Sequence, residues 1–463
     1  MSTGKGSASF EKAMQECFAA GIARQRLEMI FDPDSFVELD RFSSVEDKPC
    51  GVICGYGAVG GNPTAAFAQE GEGLGRAGSE KIAKLYDLAL KTGIPVVGVY
   101  DCIGARVAEG VAALEAYGQL LLRINNLSGV VPQIAAVLGD CTGATAMLAC
   151  SADFVVMDKA ATFFMTPPAL SQDSVDDAGS AQNAAKSGVA HILSDGPEHV
   201  CQAVRKLISY LPANNLATSQ PIEYTSPTQN LAMGDYSGVE PGSIAASILD
   251  AGSLLELLPD FGEGAYTAMA TLGGVPVGVV GTKGKLSADA CTKIAKAVSV
   301  LDSFQIPLVT LVNSTGFEPS SQAELCGAVR AMAKLGHVYA EATTAKAAVI
   351  TGKAYGAAYI ALASRASNSD YTIAWPETTI SALEPQTAVA FLHADEISAE
   401  RSRAEILQDY LDGVASPIAA AKAGFLDDVI PPELTRAALI SALDLLSAKR
   451  TVRNPKKHSN MPI

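Results

Sequence analysis

The sequence predicts an α/β protein that consists of two copies of one unit in tandem. Residues 81–105 (KIAKLYDLALKTGIPVVGVYDCIGA) align with residues 293–317 (KIAKAVSVLDSFQIPLVTLVNSTGF) without a gap, at a spacing of 212. A second pair of segments, 135–148 and 348–362, follows at a spacing of 213 and shares two glycines. Two ordered blocks with nearly equal spacing indicate a duplication, because chance similarity would not preserve both order and spacing.

Each copy shows the pattern of a helix that leads into a buried strand. In the first copy, apolar residues recur near a 3.6-residue period until Gly93, which predicts a helix that ends there. The apolar run 94–100 is short and bounded by breakers, which is typical of a buried parallel strand. It stops at the turn 101–105, and a second strand, 134–138, runs into the glycine-containing turn 139–144. This alternation predicts βαβ units.

A stretch of linker composition separates the two copies. Residues 211–242 are rich in Pro, Ser, Asn and Gly, which is typical of a connection between domains. We therefore place the boundary near residue 230. The prediction is an N-terminal domain over residues 1–230 and a C-terminal domain over residues 231–463.

Composition favours a compact cytoplasmic enzyme. The chain has 463 residues, of which 48% are hydrophobic and 18% charged. Its net charge of −15 argues against nucleic acid as a partner, because phosphate binding needs a basic surface. Nine cysteines without a C-x-x-C pair suggest reduced thiols. The N-terminus lacks the apolar core of a signal peptide and no spanning helix is predicted, so we expect any membrane association to come through partner subunits.

The glycine-containing turns could bind an oxyanion. A turn between a strand and a helix leaves backbone N–H groups unpaired at the start of the helix. Gly143 and Ala144 occupy such a turn in the first copy, and Ala357 and Ala358 occupy it in the second. Close packing of helix and strand would also explain such small residues, so both interpretations stay open at this point.

Motifs for other chemistries do not occur in the sequence. The five histidines lack the spacing of a zinc site, and the chain has neither a phosphate loop nor a G-x-S-x-G turn. Cys102 and Cys141 lie in turns of the first copy and could be nucleophiles, although small residues filling a tight turn are the favoured interpretation. Backbone donors without a nucleophile or base suggest stabilisation of an enolate or oxyanion.

Several longer motifs are similar to those of one family. Residues 101–110 (DCIGARVAEG) resemble D-S-G-G-A-R-x-Q-E-G, and residues 353–359 (KAYGAAY) resemble K-A-Y-G-G-A-Y. Residues 128–144 contain SGVVPQI and GDCTGA, which are similar to S-G-V-I-P-Q-I and G-P-C-A-G-G, and residues 455–463 resemble the terminus K-H-G-N-I-P-L. Over nearly its whole length the chain thus resembles the carboxyltransferases of biotin-dependent enzymes, whose domains have the crotonase fold. The resemblance implies a tandem duplication of a crotonase-like ββα domain.

The resemblance also implies a mechanism. The amides of Gly143 and Ala144 would hold the thioester oxygen of an acyl-CoA, and those of Ala357 and Ala358 would hold the ureido oxygen of biotin. Carboxybiotin would release CO₂, and the resulting biotin enolate would remove the α-proton of the acyl-CoA. The thioester enolate would then attack CO₂, and no side-chain base is required.

Further residues of the matching motifs are expected to line the site. Expected to bind substrate are Gly104, Ala105, Gly316, Phe317, Tyr355 and Gly356. Expected to contact the cofactor are Leu74 and Gly75. We expect biotin to arrive on a separate carrier protein, since the chain has no M-K-M motif, and we expect no metal. Other implied partners are a membrane decarboxylase subunit or a biotin carboxylase, and a second copy of the chain in a head-to-tail homodimer or larger assembly.

The chain departs from the family motifs at several positions, among them Ile103, Asp140 and Ala357. Backbone donors survive such changes, whereas the shape of the pocket would differ. The compact length, together with Asn313 and Glu384, favours the α subunits of sodium-pumping acyl-CoA decarboxylases of the methylmalonyl- or glutaconyl-CoA type. Two alternatives stay open: the β subunit of an acyl-CoA carboxylase, and a non-catalytic scaffold that only holds other subunits. A third, a crotonase-type hydratase or isomerase, is disfavoured because both copies keep a turn and no paired Glu residues suit hydration.

Overall fold

The computed structural model describes residues 9–12, 14, 21–45, 48–167, 177–367, 369–398, 400–451 and 454–462. Cys17, Ile463 and most of the N-terminal segment judged not to be a signal peptide lie outside the described residues. The chain divides into two compact units, Met1–Thr218 and Ser219–Ile463. The domain boundary near residue 230 stays a prediction.

The first unit contains an eight-stranded sheet and a two-stranded ribbon. Its strands are β1 (Val37–Leu39), β2 (Ser44–Val45), β3 (Lys48–Pro49), β4 (Val52–Val59), β5 (Asn62–Gln69), β6 (Val96–Cys102), β7 (Gln133–Thr142), β8 (Phe154–Asp158), β9 (Thr162–Phe164) and β10 (Ile192–Ser194). The order in the sheet is β1-β4-β5-β6-β7-β8-β10, with β9 beside the end of β7. The pairs β1–β4 and β4–β5 are antiparallel, and every pair from β5 to β10 is parallel.

Helices connect these strands and cover the sheet. They are α1 (Ile22–Ile30), α2 (Arg76–Thr92), α3 (Val111–Leu127), α4 (Ala144–Cys150), α5 (Ala181–Lys186) and α6 (Gly196–Tyr210). The helix predicted to end at Gly93 is confirmed, since α2 ends at Thr92 and Gly93 caps it in the left-handed conformation, with φ of 65°. Apolar side chains of α2 and α3, such as Ile82 and Leu120, pack in the core with side chains of the parallel strands.

The second unit repeats this architecture in a nine-stranded sheet. Its strands are β11 (Leu255–Leu257), β12 (Ala265–Leu272), β13 (Val275–Thr282), β14 (Gly284–Leu286), β15 (Leu308–Phe317), β16 (Lys346–Tyr355), β17 (Tyr371–Ala374), β18 (Thr379–Ser381) and β19 (Asp428–Val429). The order is β11-β12-β13-β15-β16-β17-β19, with β14 beside β15 and β18 beside β16. Strand directions also follow those of the first sheet, which confirms the predicted duplication.

The helices of the second unit complete the repeat and extend it. They are α7 (Pro241–Ile248), α8 (Ala288–Ser303), α9 (Ser321–Leu325), α10 (Ala328–Glu341), α11 (Gly356–Leu362), α12 (Pro385–Leu392), α13 (Arg403–Gly413), α14 (Pro417–Lys422) and α15 (Thr435–Leu446). Helix α8 corresponds to α2, and the short helices α4 and α11 follow the equivalent strands β7 and β16. Each of these short helices therefore begins at the carboxyl end of a central parallel strand, where open α/β sheets bind ligands.

Candidate functional site

The turns after β6 and β7 lie against each other in the first unit. The two strands are parallel neighbours with Cys102 opposite Cys141, so their carboxyl ends meet at one edge of the sheet. A Cβ placed on Gly104 would lie 3.5 Å from the carbonyl oxygen of Thr142, and Gly104 has φ of 101°. That distance is an ordinary van der Waals contact, so the positive φ is what favours glycine at this position.

The segment before α2 joins the same edge. The N–H of Leu74 donates to the carbonyl of Gly104 at 2.8 Å, and the N–H of Arg106 donates to the carbonyl of Leu74 at 2.9 Å. This short parallel bridge pairs Leu74 with Ala105. The structure thus brings Leu74, Gly104 and Ala105 together, residues that the sequence placed in separate motifs. The first amide of α2, at Arg76, is already bound by the carboxylate of Glu109 at 2.6 Å.

Gly143 and Ala144 play different parts in the turn that starts α4. Gly143 has φ of 59°, and its N–H donates to the carbonyl of Phe164 at 2.9 Å. Ala144 is the first residue of the helix, and no described side chain caps this end. The first N–H groups of a helix have no partner within it, so the helix start offers donors beginning with Ala144, whereas the N–H of Ala146 already donates to the carbonyl of Gly143 at 3.1 Å. The catalytic role of the two residues stays a prediction.

The second unit presents an equivalent arrangement. Gly316 has φ of 111°, and the following Phe317 pairs with Leu286 of β14 in the way that Ala105 pairs with Leu74. Helix α11 begins at Gly356, and no described side chain caps it. Ala357 is exposed and Ala358 is fully buried, so the two predicted donors differ in their surroundings.

Tyr355 lies directly before α11 with 5% of its surface exposed. Burial raises the pKa of its hydroxyl, and the carboxylate of Glu384 raises it further, while a hydrogen bond to Thr379 lowers it. The phenol therefore stays protonated at neutral pH and can donate a hydrogen bond. Glu384, one of the two residues that favour the decarboxylase subgroup, is thus an electrostatic neighbour of the predicted site residue Tyr355.

A partly buried ion pair, between buried Arg26 and half-buried Asp101, lies behind the first turn. Arg26 donates from Nη1 to Oδ2 of Asp101 at 2.7 Å and from Nη2 to the carbonyl of Leu138 at 2.9 Å. It therefore ties the ends of β6 and β7 together. A Cβ on Gly139 would lie 2.3 Å from Cγ of Asp101, so only glycine leaves room for this carboxylate.

In the second unit, the side chain at the equivalent position is a neutral asparagine and not a charged aspartate. Asn313 stands where Asp101 stands, and its Nδ2 donates to the carbonyl of Ser237 at 2.8 Å while its Oδ1 accepts from the N–H of Lys353 at 3.1 Å. A Cβ on Gly352 would lie 2.4 Å from Oδ1 of Asn313. The repeated glycines at 139 and 352 therefore admit a polar side chain from the neighbouring strand. Sequence reasoning missed this contact, although the glycine repeat was its signal.

Cys141, which the sequence placed in a turn, lies in strand β7 and does not have the properties of a nucleophile. Burial raises the pKa of the Cys141 thiol well above its ordinary value, and the side chain has no exposed surface. Reaction would require the thiolate, which is scarce at neutral pH under these conditions. Cys102 is equally buried and contacts Gly104 and Thr145. Both residues act as small packing groups in this geometry.

A metal centre or a membrane-spanning helix would also bear on function. Within the described part of the chain, no group of three or more His, Cys, Asp and Glu side chains is arranged to hold a metal ion. Across the same residues, no helix combines the length and the apolar character needed to cross a bilayer.

Comparison with known proteins assigns the class. The family model for the carboxyl transferase domain matches residues 20–461. The chain therefore belongs to this family, and its close homologues are biotin-dependent acyl-CoA carboxyltransferases. This confirms the resemblance inferred from the motifs.

Individual relatives agree with this assignment over the full chain. The propionyl-CoA carboxylase β chain of Saccharopolyspora erythraea is 35% identical over 510 residues, which cover 98% of this chain and 93% of the relative. The α subunit of methylmalonyl-CoA decarboxylase of Veillonella parvula is 34% identical, with 98% and 96% covered. The crystal structure of transcarboxylase 12S with methylmalonyl-CoA and methylmalonic acid bound superposes with a TM-score of 0.92 at 31% identity, covering all of both chains. The two-domain crotonase-like fold is thereby confirmed.

Proposed function

We propose that this protein moves a carboxyl group between an acyl-CoA of the methylmalonyl-CoA or propionyl-CoA type and biotin on a carrier protein, as the α subunit of an acyl-CoA decarboxylase. The observation that carries the proposal is the pair of uncapped helix starts, one per unit, at equivalent carboxyl ends of the parallel strands. The relative in Veillonella parvula is such an α subunit, and 96% of its length is covered.

In this proposal the first unit handles the thioester. The N–H of Ala144, at the start of α4, would stabilise the negative charge that develops on the thioester oxygen when the acyl-CoA becomes an enolate. Leu74 and Gly75, which lie beside Gly104 and Ala105, would form the wall along which the ligand lies. Small residues and backbone donors let a carbonyl carbon approach closely.

The second unit would hold biotin. N–H groups of Ala357 and Ala358 would stabilise charge on the ureido oxygen, with Gly316, Phe317, Tyr355 and Gly356 around it. The biotin would be attached to a separate carrier protein in the cytoplasm and would visit this site. Further proposed partners are a membrane decarboxylase subunit and a second copy of the chain. A larger assembly has a precedent in the similar transcarboxylase 12S, which forms a hexamer.

A second candidate, the β subunit of a propionyl- or acetyl-CoA carboxylase, is favoured by the 35% identity to such a subunit. The two candidates differ in the partner subunit that they need, a biotin carboxylase or a membrane decarboxylase subunit, whereas a substrate panel tests carboxyl transfer itself and identifies the acyl group. Purified protein is given free biotin with malonyl-, methylmalonyl- or glutaconyl-CoA, and loss of the carboxyl group from each thioester is measured. We expect methylmalonyl-CoA to react fastest. Failure of every thioester to react would favour the non-catalytic scaffold.

The donors are tested by proline substitution, which removes an N–H group. Ala144 is the first residue of α4, a position where proline is well tolerated, so Ala144→Pro should fold. We expect its carboxyl transfer to fall about 10²- to 10³-fold, as for loss of one oxyanion donor. The matched control is Arg403→Pro at the first residue of α13, which should retain wild-type rates. Wild-type transfer by Ala144→Pro would contradict the proposed role.

A further inference from the structure

A cavity of about 750 Å³ lies within the second unit, beside the antiparallel strands of its sheet. Its wall includes five charged side chains, those of Glu240, Glu256, Glu263, Lys283 and Lys293, together with the phenol of Tyr266. The described residues that line it include none of the turn residues assigned above to thioester or biotin. The cavity is therefore a separate feature of this unit.

Lys293 is the unusual member of this wall. Only 2% of its surface is exposed, yet it borders the cavity. Its Nζ makes no hydrogen bond or ion pair to a described residue, and the charges that act on it are those of Glu256 and Asp260. Lys283, by contrast, donates to Oε1 of Glu240 at 2.5 Å. The Nζ of Lys293 is not one of the sealed polar atoms that lack a partner, so the amine opens onto the cavity.

The duplicated unit provides an internal comparison. Lys81 occupies the position equivalent to Lys293, 212 residues earlier, and is similarly buried at 5%. Its Nζ donates to the carbonyl of Val52 at 3.0 Å and lies 3.9 Å from Oε1 of Glu38. One copy therefore satisfies its buried lysine, and the other leaves the amine facing a cavity. The fold alone therefore does not require a lysine at this position to face a cavity.

Burial of Lys293 raises the fraction of its amine that is neutral above that of an ordinary lysine. Burial lowers its pKa to about 8, against the opposing charges of Glu256 and Asp260. A neutral lysine amine is a nucleophile toward carbonyl carbons, whereas the protonated form is not. At pH below 8, a group with this pKa would have a neutral fraction roughly two hundred times that of an ordinary lysine with pKa near 10.4.

We propose that Lys293 is an acyl-acceptor site, modified by acyl-CoA thioesters that enter the cavity. The amine of Lys293 attacks the thioester carbonyl, so that a C–N bond forms, the C–S bond breaks, and the displaced CoA leaves as the thiol with the proton lost from nitrogen. No oxidant or further reactant is needed, because the family's own substrate class supplies the thioester. The amide carries no charge, so acylation removes the cation that faces Glu256.

The test uses the whole protein with propionyl-CoA as the probe and no biotin, so its outcome is independent of carboxyl transfer. Propionylated peptides are measured by mass spectrometry between pH 6.5 and 9.5. We expect Lys293 to be labelled at least about tenfold faster than Lys81 and Lys283, since shielding removes only part of the advantage in neutral fraction. Its labelling rate should level off above the pKa of about 8, whereas an ordinary lysine continues to gain rate.

Two variants complete the experiment. Lys293→Arg keeps the charge and removes the acceptor, so it should lose the fast phase of labelling. In Lys81→Arg, the matched control in the other copy, Lys293 should be labelled at the wild-type rate. Labelling of Lys283 as fast as that of Lys293, or a rate at Lys293 that still rises at pH 9.5, would overturn the proposal. If Lys293→Arg melts early, the comparison of peptides in the wild type and in Lys81→Arg decides the question.

Discussion

Replacing Gly139 by Ala would disturb the first turn, because the new Cβ would collide with the side chain of Asp101. A Cβ at this position would lie 2.3 Å from Cγ and Oδ1 of Asp101 and 2.6 Å from its Oδ2. Real Cβ contacts are not that short, so the carboxylate would have to move. It is held by Arg26, which also binds the carbonyl of Leu138, so movement would break this partly buried ion pair.

Two contributions determine how much Gly139→Ala lowers the free energy of unfolding. Overpacking a filled site costs about 1–3 kcal/mol, and separating the members of a buried pair adds to this. We expect Gly139→Ala to lower the free energy of unfolding of the first unit by about 2–4 kcal/mol, measured by urea denaturation. Carboxyl transfer should also fall, because Gly139 lies in the strand that delivers Gly143 and Ala144.

The control is a glycine with open surroundings. Gly118 lies within α3, and a Cβ there would meet nothing within 4 Å. Gly118→Ala should therefore raise stability by about 0.5–1 kcal/mol, because alanine is the better helix former. Gly139→Ala behaving like Gly118→Ala would refute the reasoning, since it would mean that the carboxylate of Asp101 is not confined.

Three further outcomes follow from the same contacts. Arg26→Met should lower the free energy of unfolding by about 3 kcal/mol, and the double change with Asp101→Asn should recover part of this; additive losses in the double-mutant cycle would count against a coupled pair. Cys141→Ser should keep carboxyl transfer within about threefold of the wild type, since no thiolate takes part; an inactive but folded variant would point to covalent catalysis. Several contacts lower the pKa of the Asp32 carboxyl group, and the hydrogen bond from the N–H of Gly61 has the largest effect. The Asp32 carboxylate therefore stabilises the fold at pH values above its unfolded pKa near 4, and this stabilisation decreases as the pH falls below that value. Asp32→Asn should therefore be less stable than the wild type at pH 7, and the difference should vanish in acid, as followed by denaturation at each pH.

The sequence by itself determined the duplication, the α/β class and the family. These follow from local and repeated signals: the spacing of 212, the short apolar strands and the glycine turns. Such features depend on neighbours along the chain, which is why the end of α2 at Gly93 could be predicted to the residue. The motifs around Gly104, Gly143 and Gly356 likewise indicated where the site lies, because they mark strand ends.

Only the tertiary structure decided how those residues are used. Pairing between strands distant in sequence brings Leu74 beside Ala105 and engages the N–H of Gly143 with Phe164, so that Ala144 begins the set of available donors. No local pattern encodes such a partner. The same holds for Lys81 and Lys293, which occupy equivalent positions in the repeat. Their hydrogen bonding differs because it depends on the side chains and carbonyls that each unit folds around them, and this three-dimensional environment leaves one amine satisfied and the other facing a cavity.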